Sequence, residues 1–136
     1  MSRLLLELEN ILQALVDEHR KLSSHVATQQ NAMKTLQIET MQDAMHRQES
    51  TRLRIAALDN RRRLLVQQIA RLMRTGDDVT ITQIAAAFPQ NGPRLLQLRN
   101  DLKRLAQQIA DSTHVAGRLA AAVDAVLTAC CVRYWS

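Results

Sequence analysis

Aromatic residues, glycine and proline are all scarce in this chain of 136 residues. It contains one Phe, one Tyr, one Trp, three Gly and two Pro. Sheet proteins draw on aromatic and β-branched residues and need frequent turns, which Gly and Pro usually supply. The shortage of both groups argues against a sheet. Leu, Ala, Gln and Arg dominate instead, a composition typical of helical bundles and coiled coils. We expect one helical domain over residues 1–136.

Cysteine and long apolar runs are scarce as well. The two cysteines, Cys130 and Cys131, are adjacent and would point about 100° apart on a helix, so they are poorly placed to bond each other. The most apolar run, residues 115–132, is interrupted by Arg118 and Asp124, which argues against membrane insertion. No signal-peptide pattern precedes the first helical pattern. We therefore expect a protein of the reducing cytoplasm.

Apolar residues recur at an average spacing of 3.5 along most of the chain. This spacing keeps one stripe of side chains facing a partner helix. The first stripe runs over residues 5–36, slips by one residue, and resumes at Met41. Gln48 and Arg62 are polar members of the second stripe. The pattern predicts an all-α fold, an antiparallel bundle or coiled coil of two or three long helices.

The slip leaves two arrangements open for residues 1–75. They form either one long helix with a discontinuity or a kinked or broken pair of helices. A weak helix-forming stretch places the kink or break within residues 26–40. Gly76 can adopt the left-handed conformation that closes a helix, so we expect the second stripe to end there.

Two further helices are predicted after this stop. Thr80 and Gln83 form a capping-box pattern, which indicates a short connector helix over residues 80–88. Pro93 suits the first turn of a last long helix over residues 93–132.

Patterns that carry enzyme chemistry are missing. The three glycines are isolated, so no glycine-rich phosphate loop is present. His19 and His25 are six residues apart, which misses the spacing that places two metal ligands on one helix face. His19 falls on the apolar stripe and is predicted to be a neutral, hydrogen-bonded histidine. We therefore predict no enzyme, no metal site, no cofactor and no small-molecule substrate.

Positive charge is concentrated in one segment of this chain, whose net charge is +5. Residues 47–74 contain eight arginines against Glu49 and Asp59. Two interpretations are open: a solvated face partly paired with the first helix, or a docking surface for an acidic partner. Nucleic-acid binding is a weaker hypothesis, because the helix-turn-helix-like pattern at 82–87 is followed by a turn with two prolines and a leucine-rich helix.

Four segments give the chain a family resemblance by their order and spacing. They are LVDEHRKL at 15–22, LRIAALDNRRRLL at 53–65, TITQIA at 80–85 and RLLQLRNDLKRLAQQI at 94–109. Together they resemble the FlgN-like flagellar type III export chaperones. The resemblance implies a cytoplasmic chaperone that binds the C-terminal helical segments of hook-filament junction proteins and delivers them to the export apparatus. The main alternative is a structural coiled-coil adaptor that forms a homodimer.

Two sets of residues are candidates for partner binding. The second half of the last helix is apolar over a broad arc, so we predict that part of it receives the client helix; the alternative is internal core or a homodimer seam. The residues of this arc are Val115, Leu119, Val123, Val126, Leu127 and Cys130. The second set is a basic docking face for an acidic surface of the client or the export apparatus, formed by Arg61, Arg62 and Arg63.

Overall fold

The computed structural model describes residues 1–76 and 79–116, whose regular structure is helical. Four helices lie in these ranges: α1 (Ser2–Lys34), α2 (Ile38–Leu72), α3 (Ile81–Ala87) and α4 (Gly92–Ala116). The prediction of an all-α bundle is confirmed. In these two ranges no helix combines the length and the apolar character that a bilayer crossing requires.

Helices α1 and α2 form an antiparallel hairpin, with the break at residues 35–37. The side-chain contacts show that the two helices are antiparallel, because residues later in α2 contact residues earlier in α1. Gln48 donates a hydrogen bond to the Gln29 side chain, and further along α2 Arg54 lies 3.0 Å from the Glu18 carboxylate. Of the two arrangements that the sequence leaves open, the structure has two helices.

Helix α4 runs along α1 in the same direction. Asn91, just before α4, donates to the Glu9 carboxylate at 3.3 Å. At the other end, Gln30 donates to the Ser112 carbonyl at 2.6 Å. Helix α1 therefore packs against both long neighbours, in an up-down-up arrangement.

The predicted stripes form most of the core where the helices are in contact. Side chains less than 2% exposed include Leu8, Leu12, Leu15, Ile55, Ile69, Leu95, Leu98 and Leu102. Truncating one such leucine or isoleucine to Ala costs about 2–5 kcal/mol, so this stripe supplies much of the driving force for folding. At the hairpin tip, residues of the predicted stripe are exposed. Met33 and Leu36 are 42% and 85% exposed, because α1 ends beside them.

Helices α1 and α2 each end on a left-handed residue that is not glycine. Leu36 has a φ of 56° and Arg74 a φ of 57°. After α1, the Gln37 amide donates to the Ala32 carbonyl at 2.9 Å, the contact that defines a Schellman motif. Thr75 and Ala70 make the same contact after α2 at 3.1 Å. The prediction that Gly76 closes the helix is wrong, because Arg74 takes the left-handed position two residues earlier.

Leu36→Gly is expected to raise the free energy of unfolding by about 1 kcal/mol. A left-handed conformation costs a residue with a Cβ about 1–2 kcal/mol, part of which the greater chain entropy of glycine offsets. Little packing is lost, since the Leu36 side chain is 85% exposed. Urea denaturation followed by circular dichroism measures the change. Leu36→Ala is the control, because it removes the side chain but keeps the strain. Equal stabilities of the two variants would contradict this account.

The connector α3 is fixed at both ends. The predicted capping box is present: the Gln83 amide donates to the Thr80 hydroxyl at 3.2 Å, and the Thr80 amide donates to the Gln83 side chain at 3.0 Å. At the other end, α3 packs against the start of α4. A Cβ placed on Gly92 would lie 2.5 Å from the carbonyl oxygen of Ala85. Glycine at this position therefore permits the close approach of α3 and α4.

Candidate partner-binding surfaces

A polar layer crosses the interface of α1 and α2 midway along the hairpin. Glu18 accepts from Arg54 at 3.0 Å and from Lys21 at 3.2 Å. Arg54 also donates to the Thr51 hydroxyl at 3.1 Å. Burial opposes ionisation of Glu18, but these two cations outweigh it and lower its carboxyl pKa. Arg54 is therefore engaged within the bundle and contributes less to the basic surface than its charge suggests.

His19 lies in the same layer and is buried, 2% exposed. Its Nδ1–H donates to the Leu15 carbonyl at 2.7 Å. Burial lowers the pKa of the imidazole, because the charged form loses its hydration. The sequence-based prediction of a hydrogen-bonded histidine on the apolar stripe is confirmed.

The three consecutive arginines of the predicted basic docking face have different environments. Arg61 is exposed. Arg62 is buried, its side chain 4% exposed, with Nε 2.8 Å from Asp59 Oδ1. Arg63 is 44% exposed and lies 3.4 Å from the other oxygen of Asp59. A partner can reach Arg61 and Arg63, whereas Arg62 makes an internal ion pair.

The outward face of α2 carries leucines that the bundle does not cover. Leu53 is 68% and Leu64 57% exposed. They are eleven residues apart, close to three helical turns, so both lie on one line about 16 Å long. The exposed Ala57 lies between them. We call Leu53, Ala57 and Leu64 the α2 ridge. The sequence pattern does not mark this ridge as a site, although both leucines lie off the predicted stripe.

The surface around the Leu64 end of the α2 ridge is basic. Arg61, Arg63, Arg71 and Arg74 are exposed. Between residues 53 and 74 the sequence has one acidic residue, Asp59, and that carboxylate is mostly buried beside Arg62. Along this stretch the exposed charges of α2 are therefore positive.

A shallow cleft of about 390 Å³ lies at the seam of α1 and α2, nearer the hairpin tip. It is lined by His25, Asp43, His46, Arg47, Ser50 and Arg54. Partial burial lowers the pKa of His25, and the nearby charges of Arg47 and Arg54 lower it further.

The predicted client-binding arc lies almost wholly beyond the part of the chain that the structure describes. Val115 belongs to the last turn of α4. Leu119, Val123, Val126, Leu127 and Cys130 lie outside the described residues. The role of these six residues stays a prediction.

A comparison with models of known protein families identifies the family of this chain. The family model described as FlgN protein matches residues 1–123, which include all four helices. The chain belongs to the FlgN family. FlgN proteins are flagellar export chaperones, and the resemblance seen in the sequence is confirmed at the level of the family. No curated protein and no solved structure matches the chain significantly.

Proposed function

We propose that this FlgN-family chain is a cytoplasmic chaperone for hook-filament junction proteins. It binds their C-terminal helical segments and delivers them to the flagellar type III export apparatus. The observation that carries the proposal is the family match over residues 1–123, supported by a bundle of long helices that suits the binding of another helix. The proposal assigns the chain a binding role and no reaction.

The physical task of such a chaperone fits a helical bundle. An oligomerising helix of an export substrate exposes an apolar stripe and must stay unassembled until export. A chaperone can cover that stripe by adding the helix to its own helices, the helix-in-groove mode of recognition. Within the described part of α4, the buried stripe runs from Leu95 to Thr113 and packs inside the bundle. We place the client on the broad apolar arc in the second half of the last helix, on Val115, Leu119, Val123, Val126, Leu127 and Cys130.

Delivery needs a second contact, for which we propose the exposed members of the basic docking face. Arg61 and Arg63 are accessible to an acidic surface of the client or of the export apparatus. Arg62 is not included, because its guanidinium is buried against Asp59. Rim charges of this kind affect mainly the rate of association and its salt dependence.

Leu119→Asp and Val126→Asp are expected to abolish binding of the client segment. A carboxylate placed in an apolar helix–helix contact loses hydration without gaining a partner. Helicity and melting temperature should stay close to those of the unmodified chain, and titration calorimetry with circular dichroism measures both properties.

Leu6→Asp is the matched control, because Leu6 is an exposed leucine on α1, 56% exposed. This variant should bind the client normally. If Leu119→Asp or Val126→Asp unfolds the protein, these positions belong to the core and the client assignment is wrong.

A further inference from the structure

The α2 ridge is an apolar surface that the fold does not need. The residues of α2 that pack inside the bundle, among them Ile55, Leu65 and Ile69, lie on the opposite side of the helix. Leu53 and Leu64 point away from that side and leave most of their surface in water. Single exposed leucines are common on proteins, but here two share one line over three turns, with exposed Ala57 and the polar Asn60 between them.

The charges around the ridge select the kind of partner. Arg61, three residues before Leu64, is its neighbour on the helix surface, and Arg71, seven residues after it, lies about two turns further along the same side. Exposed Glu49 lies four residues before Leu53, so the basic character belongs to the Leu64 end of the ridge. The exposed charges between residues 53 and 74 are positive, since Asp59 is mostly buried with Arg62. A partner with acidic side chains beside its apolar contact residues is therefore favoured, while a basic partner is repelled.

We propose that the α2 ridge binds one amphipathic helix of an acidic partner protein, at a surface separate from the client-binding arc. A straight strip three turns long matches the side of one helix, whose ridges pack into the grooves of α2. The leucines supply the apolar contact, and the arginines pair with carboxylates at its rim. A second copy of this chain fits poorly when two ridges face each other. The arginines beside the ridge of one copy would then lie close to those of the other and repel them.

The test uses the full chain and two synthetic helical peptides of equal length. Both peptides carry leucines at a spacing of three and four residues; one has glutamates beside the leucines and the other has lysines. Titration calorimetry should show binding of the acidic peptide, weakening with added salt, and binding of the basic peptide at least about tenfold weaker. Sedimentation of the chain alone should be unchanged by substitutions in the ridge.

Leu64→Glu is expected to weaken binding of the acidic peptide by about tenfold or more, since it replaces one of the two apolar contacts by a carboxylate that the glutamates of the peptide repel. Leu6→Glu is the matched control, because Leu6 on α1 is 56% exposed and Leu64 is 57% exposed. It should bind like the unmodified chain. Arg61→Glu should weaken binding and reduce its salt dependence. Circular dichroism should show all three variants to be folded.

Several results would overturn the inference. These are no binding of the acidic peptide, equal binding of the acidic and basic peptides, and an equal loss in the Leu6 and Leu64 variants. A self-association that Leu64→Glu abolishes would replace the acidic partner with a second copy. Loss of client binding in Leu64→Glu would show that the ridge is the client site. The ridge shares Arg61 with the basic docking face of the proposed function but shares no residue with the client-binding arc. A chain that binds the acidic helix but no client segment would therefore refute only the client assignment.

Discussion

Asp59→Ala is expected to lower the free energy of unfolding by about 3–5 kcal/mol, the cost of removing one partner of a buried ion pair. The Arg62 side chain is 4% exposed, so its guanidinium would stay buried without the carboxylate 2.8 Å away. The same substitution also removes the contact of Asp59 with Arg63. Urea denaturation followed by circular dichroism measures the loss.

Two controls separate the lost ion pair from a general effect of the substitution. Asp17→Ala makes the same change in an exposed pair, since Asp17 and Arg20 are 54% and 55% exposed and 3.8 Å apart. It should cost less than about 1 kcal/mol. Asp59→Leu combined with Arg62→Met replaces both charges with apolar groups and should recover most of the stability. Equal losses for Asp59→Ala and Asp17→Ala would contradict the buried pair.

Gly92→Ala is expected to lower the free energy of unfolding by about 1–3 kcal/mol, the usual cost of overpacking. The added Cβ would lie 2.5 Å from the Ala85 carbonyl oxygen, so α3 must move away from α4. The gain of about 0.5–1 kcal/mol that alanine gives over glycine inside a helix does not apply here, because Gly92 is the first residue of α4 and precedes Pro93.

Gly76→Ala is the matched control for this substitution. Nothing lies within 4 Å of the position where its Cβ would be placed. This variant should be as stable as the unmodified chain or slightly more so. A Gly92 variant with the stability of the Gly76 variant would show that α3 does not pack closely on α4.

Much of the fold can be predicted from the sequence, because hydrophobic spacing and capping are local. The stripe through Leu8, Leu12 and Leu15 sets the buried face of α1, and Thr80 with Gln83 starts α3. The helix ends could not be predicted in the same way. Leu36 and Arg74 occupy positions where glycine is preferred, so the residue type does not mark these helix ends.

The candidate surfaces show the same limit of local reasoning. The position of Arg62 on the predicted stripe indicates that it is buried, as the structure shows. The neighbouring Arg61 and Arg63 instead suggested that all three arginines are exposed. Leu53 and Leu64 are leucines off the stripe, and composition alone cannot separate exposed leucines from core leucines. Only the packing of α2 against α1 shows which side of α2 stays uncovered.

The most direct test of the proposed function is a titration of the full chain with C-terminal segments of hook-filament junction proteins. Calorimetry alongside light scattering gives the affinity, stoichiometry and assembly state in one set of samples. We predict a defined complex with a Kd on the order of micromolar or tighter and a negative heat-capacity change from apolar burial. The absence of binding, together with a stable dimer of the chain alone, would contradict the proposed client and indicate a structural coiled-coil adaptor.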